Sequence, residues 1–229
     1  MRRLPDLEAL RAAPVRTPPL SAYTPAERRL IATLRTPRQV QRYLRALPYN
    51  WEHTLRTFRG AVAVGRAHCL EAVLFAAAIL EHHGYPPLAL DIESDDGLDH
   101  VLFLFQERGR WGTVARSRDF GLHGRPAVFP SVPALVRSYM DPYVDGSGRV
   151  NGYGVAQLDL LTPADWRLDR RNVRRVEQAF IDMPHAPLPM GERRYQQVLR
   201  RFQAFKASGR AVTQRNMRTL YGDQVRQWW

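Results

Sequence analysis

Cys69, His100 and Asp119 are residue types that together can carry out nucleophilic catalysis. A cysteine nucleophile needs a base, usually a histidine, and a third group that orients the base. Cys69 is the only cysteine, so it can form neither an internal disulfide nor a cysteine zinc site. The three side chains can act together only if the surrounding elements bring them to one place.

A buried helix is predicted to begin at Cys69. The chain from Cys69 to His83 contains neither glycine nor proline, and residues 72–80 are apolar on every side of a helix. Gly84 then supplies a left-handed C-terminal cap. A thiol in the first turn lies near the positive end of the helix dipole and near unpaired backbone N–H groups. We therefore expect these groups to lower the thiol pKa and to hold an oxyanion.

Three strands are predicted after this helix, over residues 88–92, 101–105 and 111–119. His100 directly precedes the second strand, which is apolar on both faces and is therefore central. In the third strand, Asp119 is the only acid that shares a face with Trp111. It is therefore the candidate carboxylate for orienting His100. Ser117, on the same face, is the alternative as a neutral acceptor.

The same segments carry a resemblance to a known family. They are residues 65–72 (GRAHCLEA), 84–86 (GYP), 99–101 (DHV) and the strand that begins at Trp111. Together they resemble the core of the transglutaminase-like superfamily, in which a cysteine opens a buried helix, a histidine begins a strand and an acid follows on the next strand. The resemblance covers about residues 40–130.

This resemblance implies an α+β fold with a papain-like or transglutaminase-like core, in which the helix bearing the cysteine packs on a small antiparallel sheet. It also implies acyl transfer on the amide bond of a peptide or protein substrate, without a cofactor or a metal. In that chemistry Cys69 attacks the carbonyl, His100 shuttles the proton and Asp119 orients the ring. The acyl-enzyme then passes to water or to an amine, and the resemblance does not decide between them.

The chain divides into three predicted parts. An N-terminal arm and helix occupy residues 1–39, and the transglutaminase-like core occupies residues 40–135. A loop and a basic helical extension occupy residues 136–229. Within these parts we expect an extended arm over 1–23, a glycine-rich loop over 141–154, and basic helices over 165–181 and 191–206.

The charge of the chain raises a second functional hypothesis. Lysines and arginines number 34 against 22 acids, for a net charge of +12. Most of this charge is arginine, and two clusters lie in the last third: Arg167, Arg170, Arg171, Arg174 and Arg175, then Arg193, Arg194, Arg200 and Arg201. The alternative is therefore a catalytically inactive protein of the same fold that uses arginines to bind nucleic acid or an acidic partner. A redox-sensing thiol at Cys69 is a third possibility.

The sequence does not favour a membrane protein, a secreted protein or a calcium-binding protein. The longest apolar stretch is about half the length of a membrane span, and the first residues lack the apolar segment of a secretory signal. The acidic residues between 91 and 99 do not match the calcium-loop pattern. We therefore expect a cytoplasmic protein without a membrane partner, and leave its oligomeric state open.

Overall fold

A six-stranded antiparallel sheet with helices on both faces forms an α+β architecture. The structure, a computed structural model, describes residues 4–144 and 148–229. The strands are β1 (Leu88–Ser94), β2 (His100–Glu107), β3 (Arg110–Val114), β4 (Arg125–Phe129), β5 (Val150–Gln157) and β6 (Ala186–Pro187). Their order across the sheet is β4-β3-β2-β1-β5-β6, so β2 and β1 are central. The two edge strands, β4 and β6, are short and each contains a proline.

The helices begin largely where proline and capping residues indicate. In the described residues they are α1 (Leu7–Ala12), α2 (Pro25–Thr33), α3 (Pro37–Ala46), α4 (Phe58–Val64), α5 (Cys69–Leu80), α6 (Val132–Tyr143), α7 (Leu158–Leu161), α8 (Arg174–Asp182), α9 (Glu192–Ala207) and α10 (Met217–Tyr221). Thr24 and Thr36 cap α2 and α3 through capping boxes, with proline at the first helical position. None of these helices is long and apolar enough to cross a membrane.

Helix α5 confirms the prediction of a buried helix that starts at Cys69. All its side chains from Leu70 to Leu80 are buried. A short 3₁₀ turn extends it to His83, and Gly84 follows with a φ of +84°, a conformation that favours glycine. The helix packs on β2, where Val101, Phe103 and Phe105 face it. Leu102 and Leu104 point to the opposite layer, which contains α6.

The third predicted strand is shorter than expected, because β3 ends at Val114 and not at residue 119. At Ala115 the side-chain amide of Gln41 replaces a neighbouring strand. Its Oε1 accepts from the Ala115 N–H at 2.8 Å, and its Nε2 donates to the Ala115 carbonyl at 2.9 Å. Ser117 and Asp119 therefore lie in the connection after the sheet, and the alternation of strand faces does not reach them.

Two other stretches differ from their expected structure. Residues 1–23 contain α1, whose first turn is capped by the Asp6 side chain, besides extended chain. Residues 141–154 contain the end of α6 and most of β5, while residues 145–147 of the predicted loop lie outside the described residues. Gly152 stands in β5 because a Cβ there would lie 2.8 Å from the Ala186 carbonyl oxygen, and at Gly154 a Cβ would lie 3.0 Å from the Pro184 carbonyl oxygen.

The first basic helix begins later than expected, at Arg174, because residues 165–169 form side-chain-capped turns. Asp165 accepts hydrogen bonds from the N–H groups of Arg167 and Leu168 at 3.1 and 2.9 Å. Within this turn Arg167 is buried, and it forms two-pronged ion pairs with Glu81 and Asp159 at 2.6–2.8 Å. This arginine therefore holds the end of α5 to α7, and it is not part of a basic surface.

Replacing Arg167 with methionine should lower the free energy of unfolding by about 3–5 kcal/mol, because buried Glu81 loses its ion-pair partner and Asp159 keeps only the Arg16 guanidinium, 3.9 Å away. Arg171→Met is the matched control: the Arg171 side chain is 88% exposed, and we expect a change within about 0.5 kcal/mol. Urea unfolding monitored by tryptophan fluorescence measures both. Similar stabilities for the two variants would contradict the structural role of Arg167.

Candidate functional site

Cys69, His100 and Asp119 line a single cleft of about 690 Å³, which we call the His100 cleft. Tyr49 and Tyr143 also line it, as do Phe202 and Lys206 from α9 and Tyr221 from α10. The cleft therefore opens where α5 and β2 begin, and the C-terminal region closes part of it. The structure brings the three predicted residues to one cleft, although their individual contacts differ.

The Cys69 thiol lies at the N-terminus of α5, against backbone amides. The N–H groups of Val101 and Leu70 interact with the sulfur and favour the thiolate. Burial has a larger and opposite effect, and Asp91 adds to it, so the pKa of the Cys69 thiol is raised. The expectation of a lowered pKa is therefore wrong, because burial outweighs the backbone amides. A redox sensor needs a low-pKa, accessible thiol, so this thiol is poorly suited to that role.

Glu71 fixes the wall of the cleft around this thiol. Its buried carboxylate accepts hydrogen bonds from Asn50 Nδ2 at 2.9 Å, from Thr54 Oγ1 at 3.0 Å and from the Arg56 N–H at 2.9 Å. A fourth bond comes from the His68 N–H at 3.2 Å, directly before the helix. Glu71 thus ties residues 50–56 to the first turn of α5. Its position three residues after the N-cap was the available sequence signal.

The His100 ring is held in one tautomer. Its Nε2–H donates to the Leu122 carbonyl at 2.7 Å, so Nδ1 carries the lone pair. Nδ1 forms no hydrogen bond with any described residue. Burial lowers the pKa of His100 to about 4, and the nearby charge of Arg125 acts in the same direction. At neutral pH the ring is therefore an uncharged base with one available nitrogen.

No hydrogen bond joins the Cys69 thiol to the His100 ring in the described part of the chain. The side chains of β2 alternate between the two faces of the sheet, and this explains why no such bond forms. Val101 faces α5, whereas His100 lies on the other face of the strand, with its ring 6.4 Å from that of Tyr139 in α6. The thiol and the imidazole thus approach the start of β2 from different sides, and the His100 cleft connects them.

The orienting group of His100 is the Leu122 carbonyl, which the sequence did not indicate. Asp119 is 53% exposed and pairs with Arg118 at 3.3 Å, while Ser117 Oγ accepts from the Asp119 N–H at 3.1 Å. Both side chains line the cleft, and neither is hydrogen-bonded to the His100 ring. A backbone carbonyl can orient an imidazole as a carboxylate does, but it adds no charge.

Arg125 fixes the turn that carries this carbonyl. Its guanidinium is fully buried and donates to the Gly121 and His123 carbonyls, at 2.7 Å each. It lies between the rings of Tyr139 and Trp228, at 4.1 and 4.0 Å from their centroids. The residues before and after Leu122 are therefore both anchored, and the Leu122 carbonyl is held in place.

A second cleft, of about 510 Å³, begins at the same thiol. We call it the Asp91 cleft, because Asp91 lines it together with Cys69 and Val101. It shares Tyr49 and Leu98 with the His100 cleft and extends to Trp51, Glu177 and Phe180. The Cys69 side chain thus stands at the junction of two clefts.

At least three of the nine arginines in the C-terminal clusters are engaged with other parts of the fold. Arg167 is buried, and Arg194 and Arg201 both bind Asp141 through their side chains. The end of the chain instead packs on the core: Trp229 Nε1 donates to the Thr113 carbonyl at 3.1 Å. Part of the positive charge assigned to anionic partners therefore stabilises the fold.

Stability should fall in mild acid because His100 must be neutral when folded. Its pKa is about 4 in the fold and 6.5 in the unfolded chain, so the unfolded state binds more protons as the pH falls below 6.5. Between pH 7 and pH 5 the wild type should lose about 2 kcal/mol more than His100→Gln. Urea unfolding at the two pH values measures this difference, and equal losses would contradict the burial of a neutral ring.

The raised pKa of Cys69 should appear in the pH dependence of its alkylation rate. With iodoacetamide, the midpoint of the rate against pH should lie above that of the same chain unfolded in urea, because only the thiolate reacts. Cys69→Ala is the control for reaction at other groups. If the midpoint of the native protein lies below that of the unfolded chain, the backbone amides have a larger effect on the thiol pKa than burial has.

No family model matches the sequence, and no curated protein matches it either. Sequence similarity therefore assigns neither a family nor an activity. The functional argument rests on the two clefts that meet at Cys69 and on the neutral His100 beside them.

Proposed function

We propose that the protein is a transglutaminase-like cysteine enzyme that transfers the acyl group of a peptide or protein amide through a thioester at Cys69. The observation that carries this proposal is the shared cleft, which is lined both by a thiol at a helix N-terminus and by a neutral histidine of fixed tautomer. The α+β architecture, with the helix bearing the cysteine packed on an antiparallel sheet, supports a papain-like or transglutaminase-like core.

The protonation states favour general-base catalysis over a resting thiolate–imidazolium pair. His100 Nδ1 takes the thiol proton, directly or through one bridging water, as the Cys69 sulfur attacks the carbonyl carbon. The N–H groups of Cys69 and Leu70 at the start of α5 have no carbonyl acceptor within the helix, so they can hold the oxyanion. Protonated His100 then gives its proton to the leaving nitrogen as the C–N bond breaks.

The thioester is resolved in the reverse order. Water or an amine enters the cleft, and neutral His100 takes its proton as the new bond to the acyl carbon forms. The tetrahedral species collapses and the Cys69 sulfur leaves, taking back a proton from His100. The step uses no cofactor. A catalytic cysteine in a chain without disulfides fits a cytoplasmic enzyme, which is part of the proposal.

An activated ester tests the proposal without knowledge of the substrate. After incubation with p-nitrophenyl acetate, intact-protein mass spectrometry should show one acetyl group that hydroxylamine removes, as expected for a thioester. Cys69→Ala should abolish it, and His100→Gln should slow its formation at least about hundredfold, because the base is lost. His83→Gln changes a histidine outside both clefts and should leave the rate unchanged.

The same assay separates the candidates for the third group. Because the Leu122 carbonyl orients His100, Asp119→Asn and Ser117→Ala should each slow acylation far less than His100→Gln. A hydroxylamine-resistant adduct, or an acylation rate that does not depend on His100, would contradict the proposed enzyme activity. The inactive binding protein would then be preferred, and nucleic-acid affinity that falls with salt would be its signature.

A further inference from the structure

A buried carboxylate beside the Cys69 thiol has an oxygen that no described residue satisfies. Asp91 is 2% exposed, and its Oδ1 has no hydrogen-bond partner in residues 4–144 and 148–229. It pairs with Val101 across β1 and β2, and both residues face α5. Since the Val101 N–H interacts with the sulfur, the Asp91 carboxylate lies on the thiol's own side of the sheet.

The other oxygen of Asp91 is held by His185. His185 Nε2 lies 3.1 Å from Asp91 Oδ2, and Nδ1 of the same ring lies 3.1 Å from the Met183 carbonyl. The Met183 carbonyl can only accept, so Nδ1 carries a proton, and the hydrogen bond to Asp91 raises the pKa of His185. Burial raises the pKa of Asp91, His185 acts on it in the opposite direction, and the carboxyl group is fixed through Oδ2. A buried carboxyl oxygen without a donor is costly, so Oδ1 indicates a place for a donor from outside the chain.

The surroundings of this oxygen suit a positive charge. Of the charged residues lining the Asp91 cleft, four are acids and two are arginines, although bases exceed acids in the whole chain. The acids are Asp91, Asp99, Glu177 and Glu52, of which Glu52 already pairs with Arg56 and Arg66 beside the cleft. Tyr49 and Trp51 add aromatic faces, with ring centroids 4.9 Å apart and Trp51 72% exposed. Carboxylate and aromatic faces together are the usual setting of an ammonium or guanidinium group.

We propose that the Asp91 cleft binds a cationic nitrogen group of the substrate, an ammonium or guanidinium, through Asp91 Oδ1. The inference rests on the proposed function in one respect: the bound cation lies beside the carbonyl that Cys69 attacks. Asp91 thereby determines specificity, selecting a substrate that is positively charged near the reacting bond. The protein as a whole, with a charge of +12, would repel such a group.

Methanethiosulfonate reagents test the site through the single thiol. The Cys69 sulfur forms a disulfide with the reagent's alkylthio group and releases methanesulfinate, so no other oxidant is needed. We compare the 2-aminoethyl reagent, a cation, with the 2-sulfonatoethyl reagent, an anion. The ratio of their rates in the native protein is divided by the ratio in the urea-unfolded chain, which removes intrinsic reactivity. This normalised ratio should be about ten or more.

Two variants that should change the normalised ratio in opposite directions show whether the effect comes from Asp91. Asp91→Asn, nearly the same in shape, should lower the normalised ratio about tenfold. His185→Asn removes the counter-charge and should raise it. Glu177→Gln is the matched control, because it removes one exposed acid from the same cleft and should change the ratio less than about twofold.

Equal ratios in wild type and Asp91→Asn would overturn the cation site. If Asp91→Asn does not fold, as judged by circular dichroism, the His185→Asn variant decides: a ratio that does not rise overturns the proposal. The outcome is independent of acyl transfer. A preference for the cation that depends on Asp91, without a thioester that depends on His100, would leave the cation site standing and remove the proposed enzyme.

Discussion

The guanidinium of Arg125 is fully buried without a carboxylate partner among the described residues, and the geometry of the candidate site depends on how the fold stabilises it. Burial disfavours the charged form and lowers the pKa of Arg125 to about 10. The guanidinium is therefore still charged at neutral pH. Carbonyl oxygens of the 121–124 turn and two aromatic faces replace water around it. Five N–H donors in a rigid plane make arginine suited to this role, and lysine could not reproduce it. The turn, its Leu122 carbonyl and the tautomer of His100 follow from that arrangement.

The C-terminal region belongs to the site as much as the central sheet does. Trp228 supplies one face of the Arg125 sandwich, while Phe202, Lys206 and Tyr221 line the His100 cleft. Strand β5, from the same part of the chain, pairs with β1 and thereby supports Asp91. A segment that resembled a basic appendage in the sequence therefore shapes both clefts. Long-range packing, and not local charge, determines what its residues do.

The elements that position Cys69 and His100 could be predicted because their signals are local. The length of the apolar stretch between Cys69 and Gly84 is typical of a buried helix, and a short apolar run after His100 is typical of a central strand. The position of Asp119 could not be predicted in the same way. Gln41, 74 residues earlier in the chain, ends β3 by bonding Ala115, and no local pattern reveals such a contact.

The two edge strands of the sheet bear on how the protein behaves at high concentration. Pro126 in β4 and Pro187 in β6 lack the N–H that an incoming strand would need, and β6 is only two residues long. Neither edge therefore offers the long row of free donors and acceptors from which strand-by-strand aggregation grows. A sheet rich in buried apolar residues is in this way kept from extending into a neighbouring molecule.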